Sequence, residues 1–220
     1  MIVSVDAASA ATCLSTSTSW AGQQINIDNL DSSSFTTGYG GSGVLTVAYD
    51  KTSAPAPPFA HAGYATVTPL GGELAGFITL EMDASVVGQQ TTITFTFSNA
   101  VRFLNFRLLD VDLAIGNWTD QVALITTLAG APVLLSPANI TFNPVFVAHT
   151  VVGNSDVFTG IFDPSGSGGG VPNILTDANV GVSYPGLVDQ VVITYTAFGG
   201  APNPAFQQVG ITDLAFCSGV

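Results

Sequence analysis

The sequence predicts an all-β fold, a jelly-roll-like sandwich of two antiparallel sheets formed as a single domain over residues 1–220. Three observations predict it. Apolar and polar residues alternate in segment after segment, the mark of half-buried strands. Clusters of Gly, Pro, Asn and Asp separate those segments, drawn from 24 Gly and 12 Pro in 220 residues, and these residue types supply turn geometry. No window carries an apolar stripe of helical period and length.

The strands can be justified in chain order. Residues 44–50 (VLTVAYD), 76–83 (GFITLEMD), 91–99 (TTITFTFSN) and 101–112 (VRFLNFRLLDVD) alternate most clearly in the first half. Residues 121–128 (QVALITTL), 143–152 (NPVFVAHTVV), 188–198 (VDQVVITYTAF) and 208–217 (QVGITDLAFC) follow in the second. With weaker segments between them, roughly ten to twelve strands are expected, which suits two packed sheets. Two loops stand apart. Residues 50–64 (DKTSAPAPPFAHAGY) are Pro-rich and cannot donate many ladder bonds. Residues 163–173 (DPSGSGGGVPN) are Gly-rich and expected to be mobile, and they lack the Lys and following helix of a phosphate-binding loop.

Composition excludes several functions. The chain is 47% hydrophobic and 8% charged, against about 25% charged in an average domain. Its net charge is −12, with Lys51, Arg102 and Arg107 the only basic side chains besides two histidines. Such a surface repels phosphate backbones, so no nucleic-acid partner is expected. No apolar run reaches the length of a membrane-spanning helix. Cys13 and Cys217 sit near the two ends and predict a disulfide, hence an oxidising, extracellular or cell-surface location. Closing a loop of that length contributes on the order of 5 kcal/mol in the chain-entropy picture. The start, MIVSVDAASAATC, has small residues but no basic n-region, and reads as a mature or trimmed chain beginning at Met1. Residues 1–12 are expected to form an extended N-terminal segment. Asn117-Trp118-Thr119 and Asn139-Ile140-Thr141 are glycan-acceptor sequons in a host that glycosylates.

The stretch LLDVDLAIGNWTDQV, residues 108–122, holds three aspartates in a charge-poor chain. Alternation puts Leu104, Phe106, Leu108, Asp110 and Asp112 on one face. That face is apolar until it ends in two carboxylates, which need protons, backbone donors or a cation. Asp120 returns beside them after the turn AIGNWT. Oxygens converging at one rim predict a structural Ca2+ site from Asp110, Asp112 and Asp120, completed by Asn117. The competing reading is that Asp112 and Asp120 make ordinary turn hydrogen bonds at the ends of a hairpin.

The run ITFTFSNAVRFLNFRLLDVDLAIGNWTDQVALIT resembles a segment of exported bacterial surface proteins, many of which carry a PEP-CTERM-type sorting tail. Their pattern of Phe-x-Phe, an apolar strand ending in Asp-[Ile/Val]-Asp, and Asp-x-Val falls here on Phe95, Phe97, Asp110, Val111, Asp112, Asp120 and Val122. The later VDQVVITYTAF…QQVGITDLAF resembles their closing strands, with Asp213 inside Ile-x-Asp-[Ile/Leu]-x-Phe. The resemblance covers about half the chain, without the sorting tail, and implies a secreted β-sandwich with no single activity. If the last strand pairs beside residues 101–112, Asp213 joins the calcium shell.

Catalytic patterns are thin. Glu81 and Asp83 in TLEMDAS resemble the Glu-x-Asp core of jelly-roll endoglucanases, but Ser85 stands where a further glutamate is needed and Glu73 is the only other one. His61 and His149 lie apart, and no Gly-x-Ser-x-Gly elbow is present. Thr92, Thr94 and Thr96 read as an ordinary outward strand face. Trp118, Tyr39 and Tyr64 near loops are candidates for stacking on a glycan.

The expected function is therefore a non-enzymatic, secreted surface or matrix protein, structural or adhesive, that self-associates as a homo-oligomer or filament through strand addition. The apolar MIVSV at residues 1–5 reads either as a donor strand or as a frayed terminus. A carbohydrate-binding module with a polysaccharide partner is the alternative, and a glycoside hydrolase comes third.

Overall fold

The structure, a computed structural model, describes residues 13–20, 32–40, 42–50, 60–64, 70–73, 76–82, 84, 86–172, 175–200 and 207–218. The described residues form strands joined by turns, with a 3-10 turn at Pro137–Asn139. Every strand pairing is antiparallel, and the protein is an all-β sandwich, as the alternation predicts. Residues 1–12, most of the Pro-rich loop, and Asp83 lie outside the described residues.

The strands, in chain order, are β1 (Leu14–Ser17), β2 (Ser32–Tyr39), β3 (Gly43–Asp50), β4 (Ala60–Tyr64), β5 (Phe77–Met82), β6 (Gln90–Leu109), β7 (Leu113–Ala114) and β8 (Trp118–Leu128). They continue with β9 (Ala131–Pro132), β10 (Ile140–Phe142), β11 (Val147–Val152), β12 (Ser155–Gly160), β13 (Val180–Tyr184), β14 (Val188–Gly200), β15 (Gln207–Thr212) and β16 (Ala215–Ser218). The first sheet runs β11-β12-β8-β14-β6-β3-β2. The second runs β10-β13-β6-β15-β5-β4, with β16 also beside β6 and β1 outside β16. Successive strands cross repeatedly between the two sheets, which brings sequence-distant segments together.

The hinge of this arrangement is β6, which belongs to both sheets. Its first part, to Val101, lies between β3 and β14. From Arg102 onward it lies between β13 and the β15–β16 pair. Residues 91–99 and 101–112 read as two strands in the sequence; they are one strand with a change of phase. Thr91, Ile93, Phe95, Phe97 and Val101 are buried at odd positions, then Leu104, Phe106 and Leu108 at even ones. The switch occurs at Phe103, which has φ +51° and is exposed. One residue out of register inverts every side chain after it, and the left-handed residue bends the strand into the opposite sheet. Strand geometry ends at Leu109, because Asp110 has φ +64°.

The core lies between the sheets. Trp20 stacks on Phe95 with ring centroids 5.8 Å apart. Tyr39, Phe97 and Phe216 meet edge-on at 5.1–5.8 Å. Cys13 and Cys217 form the expected disulfide, beside the ladder that pairs β1 with β16.

Candidate functional site

The three aspartates converge, but by a different route from simple alternation. The left-handed Asp110 breaks the strand, so Asp110 and Asp112 are not successive residues on one strand face. The chain then crosses toward the first sheet and turns back through the β7–β8 hairpin, with Leu113 paired to Thr119. That hairpin sets Asp112 against Asp120. The Asp120 N–H donates to the Asp112 carbonyl at 2.9 Å, and the Asp112 N–H donates to Asp120 Oδ2 at 3.4 Å. Asp110 is anchored by its own N–H, which donates to Asn179 Oδ1 at 3.1 Å. Asn179 in turn donates to the Gly71 carbonyl at 2.7 Å.

Residues 163–172 of the Gly-rich segment pack against this cluster. The segment is built around Asp163. Its Oδ2 accepts the N–H groups of Ile115 and Gly168 at 3.0 and 2.9 Å, and its Oδ1 accepts the Ser165 N–H and hydroxyl at 2.8 and 2.6 Å. Burial would raise the Asp163 carboxyl, but the Ser165 hydroxyl and these backbone donors outweigh it and hold the group down at about 2. The Val171 N–H then donates to Asp112 Oδ2 at 2.5 Å. Two glycines make the approach sterically feasible. A Cβ on Gly170, at φ +64°, would fall 2.3 Å from Asp112 Oδ2, and one on Gly160 would fall 2.1 Å from the Asp112 carbonyl oxygen.

Together these elements enclose a cavity of about 220 Å³. Asp110, Asp112 and Asp120 line it, with Trp118, Gly169, Val171, Gln207 and Gln208. All three carboxylates are buried, and no basic side chain lines the cavity. Burial, reinforced by the charge of Asp112, pushes Asp110 up to about 8. Burial and Asp112 likewise push Asp120 well above the usual carboxylate range, although the Tyr195 hydroxyl donates to its Oδ1 at 2.6 Å. Burial raises Asp112 as well, partly offset by the Val171 N–H and by Trp118 Nε1, which donates to Oδ1 at 3.1 Å. Two polar atoms in the cavity wall are buried with no hydrogen-bond partner, Asp110 Oδ1 and Gln207 Nε2. Among the described residues, no three acidic, His or Cys side chains form a metal cage by themselves. Any cation here needs neutral oxygens or water to complete its shell.

The remaining predicted site residues divide. Asn117 holds the loop rather than the cavity, donating through Nδ2 to the Gly168 carbonyl at 2.6 Å. Asp213 is not part of the cluster. Its Oδ1 accepts the Trp20 N–H at 2.8 Å, and it lines a separate open groove of about 450 Å³ with Asn105, Arg107, Asn139 and Ser183. The last strands do pair beside β6, but Asp213 falls in the break between β15 and β16, away from Asp110. Tyr39 is buried and its hydroxyl donates to the Asn99 carbonyl at 2.7 Å, which corrects its assignment as a glycan contact. Tyr64 lies in β4 opposite Ile78, its side chain outside the described residues. Trp118 is half-buried at the cavity wall. Glu81 sits in β5 opposite Gln208 on one side and His61 on the other. His149 bonds the buried Asp156 at 2.9 Å and stacks on Phe158, remote from these groups in the sheet order. Asp163, Tyr195 and Gln207 were not singled out from sequence. The glycines after Asp163, which read as a mobile loop in the sequence, are the one local feature that could have pointed to a close backbone approach.

No family model matches the chain, and no curated protein matches it. Among solved structures, it is similar to the N-terminal domain of the Streptococcus gordonii adhesin Sgo0707, at 8% identity and a TM-score of 0.44. The alignment covers 92% of this chain and 50% of that one, so the chain spans about half the length of the structure it matches.

Proposed function

We propose that this chain is a non-enzymatic, secreted protein of the cell surface or matrix, structural or adhesive, that self-associates by strand addition and is stabilised by calcium in the aspartate cavity. The observation that carries self-association is the edge of the first sheet. Among the described residues β11 pairs only with β12, leaving one side of its backbone without a ladder partner. The strand reads VAHTVV, and Val151 and Val152 are 51% and 63% exposed. Edge strands are normally guarded by Lys, Pro or a bulge, and an apolar edge without them can template another strand. The disulfide supports an oxidising, exported setting. The expected donor segment, residues 1–5, lies outside the described residues.

Size-exclusion chromatography with light scattering, in calcium and in EDTA, tests the reading. Regular assemblies, visible by electron microscopy and reduced by Val151→Lys, are the expected result. A monomer in both buffers refutes self-association. The non-enzymatic part is checked by assaying polysaccharide turnover, and turnover lost in Glu81→Gln would overturn it.

A carbohydrate-binding role is the second reading. The groove beside Asp213 favours it, because Asn105, Arg107, Asn139 and Ser183 offer donors and acceptors for sugar hydroxyls. Retention of a monomer on a specific polysaccharide, lost in Asn105→Ala, would establish it in place of self-association.

A further inference from the structure

Resting on the reading that the aspartate cavity takes a cation, we infer that Gln207 supplies a neutral oxygen ligand to a hard divalent cation of the calcium class, which then ties β15 of one sheet to β8 of the other. Proton bookkeeping carries the inference. The Tyr195 hydroxyl has one proton, and its 2.6 Å contact with Asp120 Oδ1 uses it. The same hydroxyl lies 3.4 Å from the Gln207 side-chain amide, at the atom placed as Oε1. With a cation bound, Asp120 is ionised and only accepts, so the Tyr195 proton is committed to it and two acceptors cannot share the contact with the amide. The amide must therefore be the donor, with Nε2 toward Tyr195 and Oε1 toward the cavity. Oxygen and nitrogen of a Gln amide are assigned from hydrogen bonding, so the turned orientation is the one that chemistry selects.

With the amide turned, the atom left without a partner in a 2% exposed side chain is an oxygen rather than Nε2. Asp110 Oδ1, in the wall of the same cavity, is also buried and without a partner. The vacant positions in the wall are then all acceptors, beside three carboxylates and no basic group. Donors that could fill them are protons, water or a cation. A hard divalent cation accepts mixed carboxylate, amide and water oxygens, and a cavity of about 220 Å³ has room for an ion with part of its hydration shell. The ligands come from the end of β6, the β7–β8 hairpin and the start of β15. Asp120 and Gln207 lie in different sheets.

Terbium reports on this site directly, because Trp118 lines it and can sensitise a bound lanthanide. The expected result is Tb3+ emission under tryptophan excitation, displaced by Ca2+, and lost in Trp118→Phe while Ca2+ still raises the melting temperature. Asp120→Asn should abolish binding, and Gln207→Met, similar in volume but without an oxygen, should weaken it by about tenfold or more. No emission and no calcium effect on melting in wild type would overturn both the cation reading and the role of Gln207. Emission lost in Asp120→Asn but unchanged in Gln207→Met would leave the cation reading standing and overturn the ligand assignment. Should Gln207→Met fail to fold, Gln207→Glu decides. Calcium binding tightened by about tenfold supports a ligand position, and unchanged or weaker binding refutes it.

Discussion

In EDTA, raising the pH from 5 to 8 should destabilise the protein, and Asp110 sets the size of the effect. Its carboxyl is 6% exposed, has an unpartnered Oδ1, and is pushed up to about 8 by burial and then by Asp112. In the unfolded chain the same group titrates near 3.9. A folded value above the unfolded one means that the folded protein binds the extra proton. The associated stability is present in full below about pH 4 and is lost as the pH rises through about 8. Ionising this group in place corresponds to a loss on the order of 5 kcal/mol across that range, shared with Asp112 because the two interact. Asp120, raised in the same direction by burial, adds to the slope. Urea unfolding at several pH values, with the disulfide intact, measures it. The midpoint should fall as pH rises, Ca2+ should restore it, and Asp110→Asn should flatten the EDTA profile. A midpoint that stays level or rises with pH in EDTA would refute the placement of these carboxylates in a cavity without a cation.

Three further outcomes follow from the same geometry. Gly170→Ala forces a Cβ to 2.3 Å from Asp112 Oδ2 at φ +64°, so it should cost about 2–4 kcal/mol through backbone strain and displacement of the Val171 donor, read as a lower melting temperature. Tyr195→Phe removes the 2.6 Å donor to Asp120 and should destabilise by about 1–3 kcal/mol in chemical denaturation. Reducing Cys13–Cys217 should lower stability by up to about 5 kcal/mol, measured as the difference between melting curves with and without reductant.

Much of the fold could be read from the chain alone because strand alternation and turn chemistry are local. Thr91, Ile93, Phe95 and Phe97 state their buried face by position, and Gly, Pro and Asp mark where strands stop. The pairing of Cys13 with Cys217 needed only their number and placement. Asp112 and Asp120 were expected together because a short turn joins them. The tertiary structure decided what local pattern cannot carry. A left-handed Phe103 inverts the alternation and carries one strand into both sheets. A left-handed Asp110 ends that strand before the first carboxylate. Tyr39 is buried by Phe97 and Phe216, far away in sequence. Asp213 falls in a break between strands and meets Trp20 instead of the aspartates. The wall of the cavity depends on contacts across the whole chain: Val171 donates to Asp112, and Gln207 and Tyr195 reach the cluster from other strands. Alternation specifies which side of a strand is buried. Which groups meet there depends on how the sheets pack, and that is settled by long-range burial and hydrogen-bond satisfaction rather than by spacing.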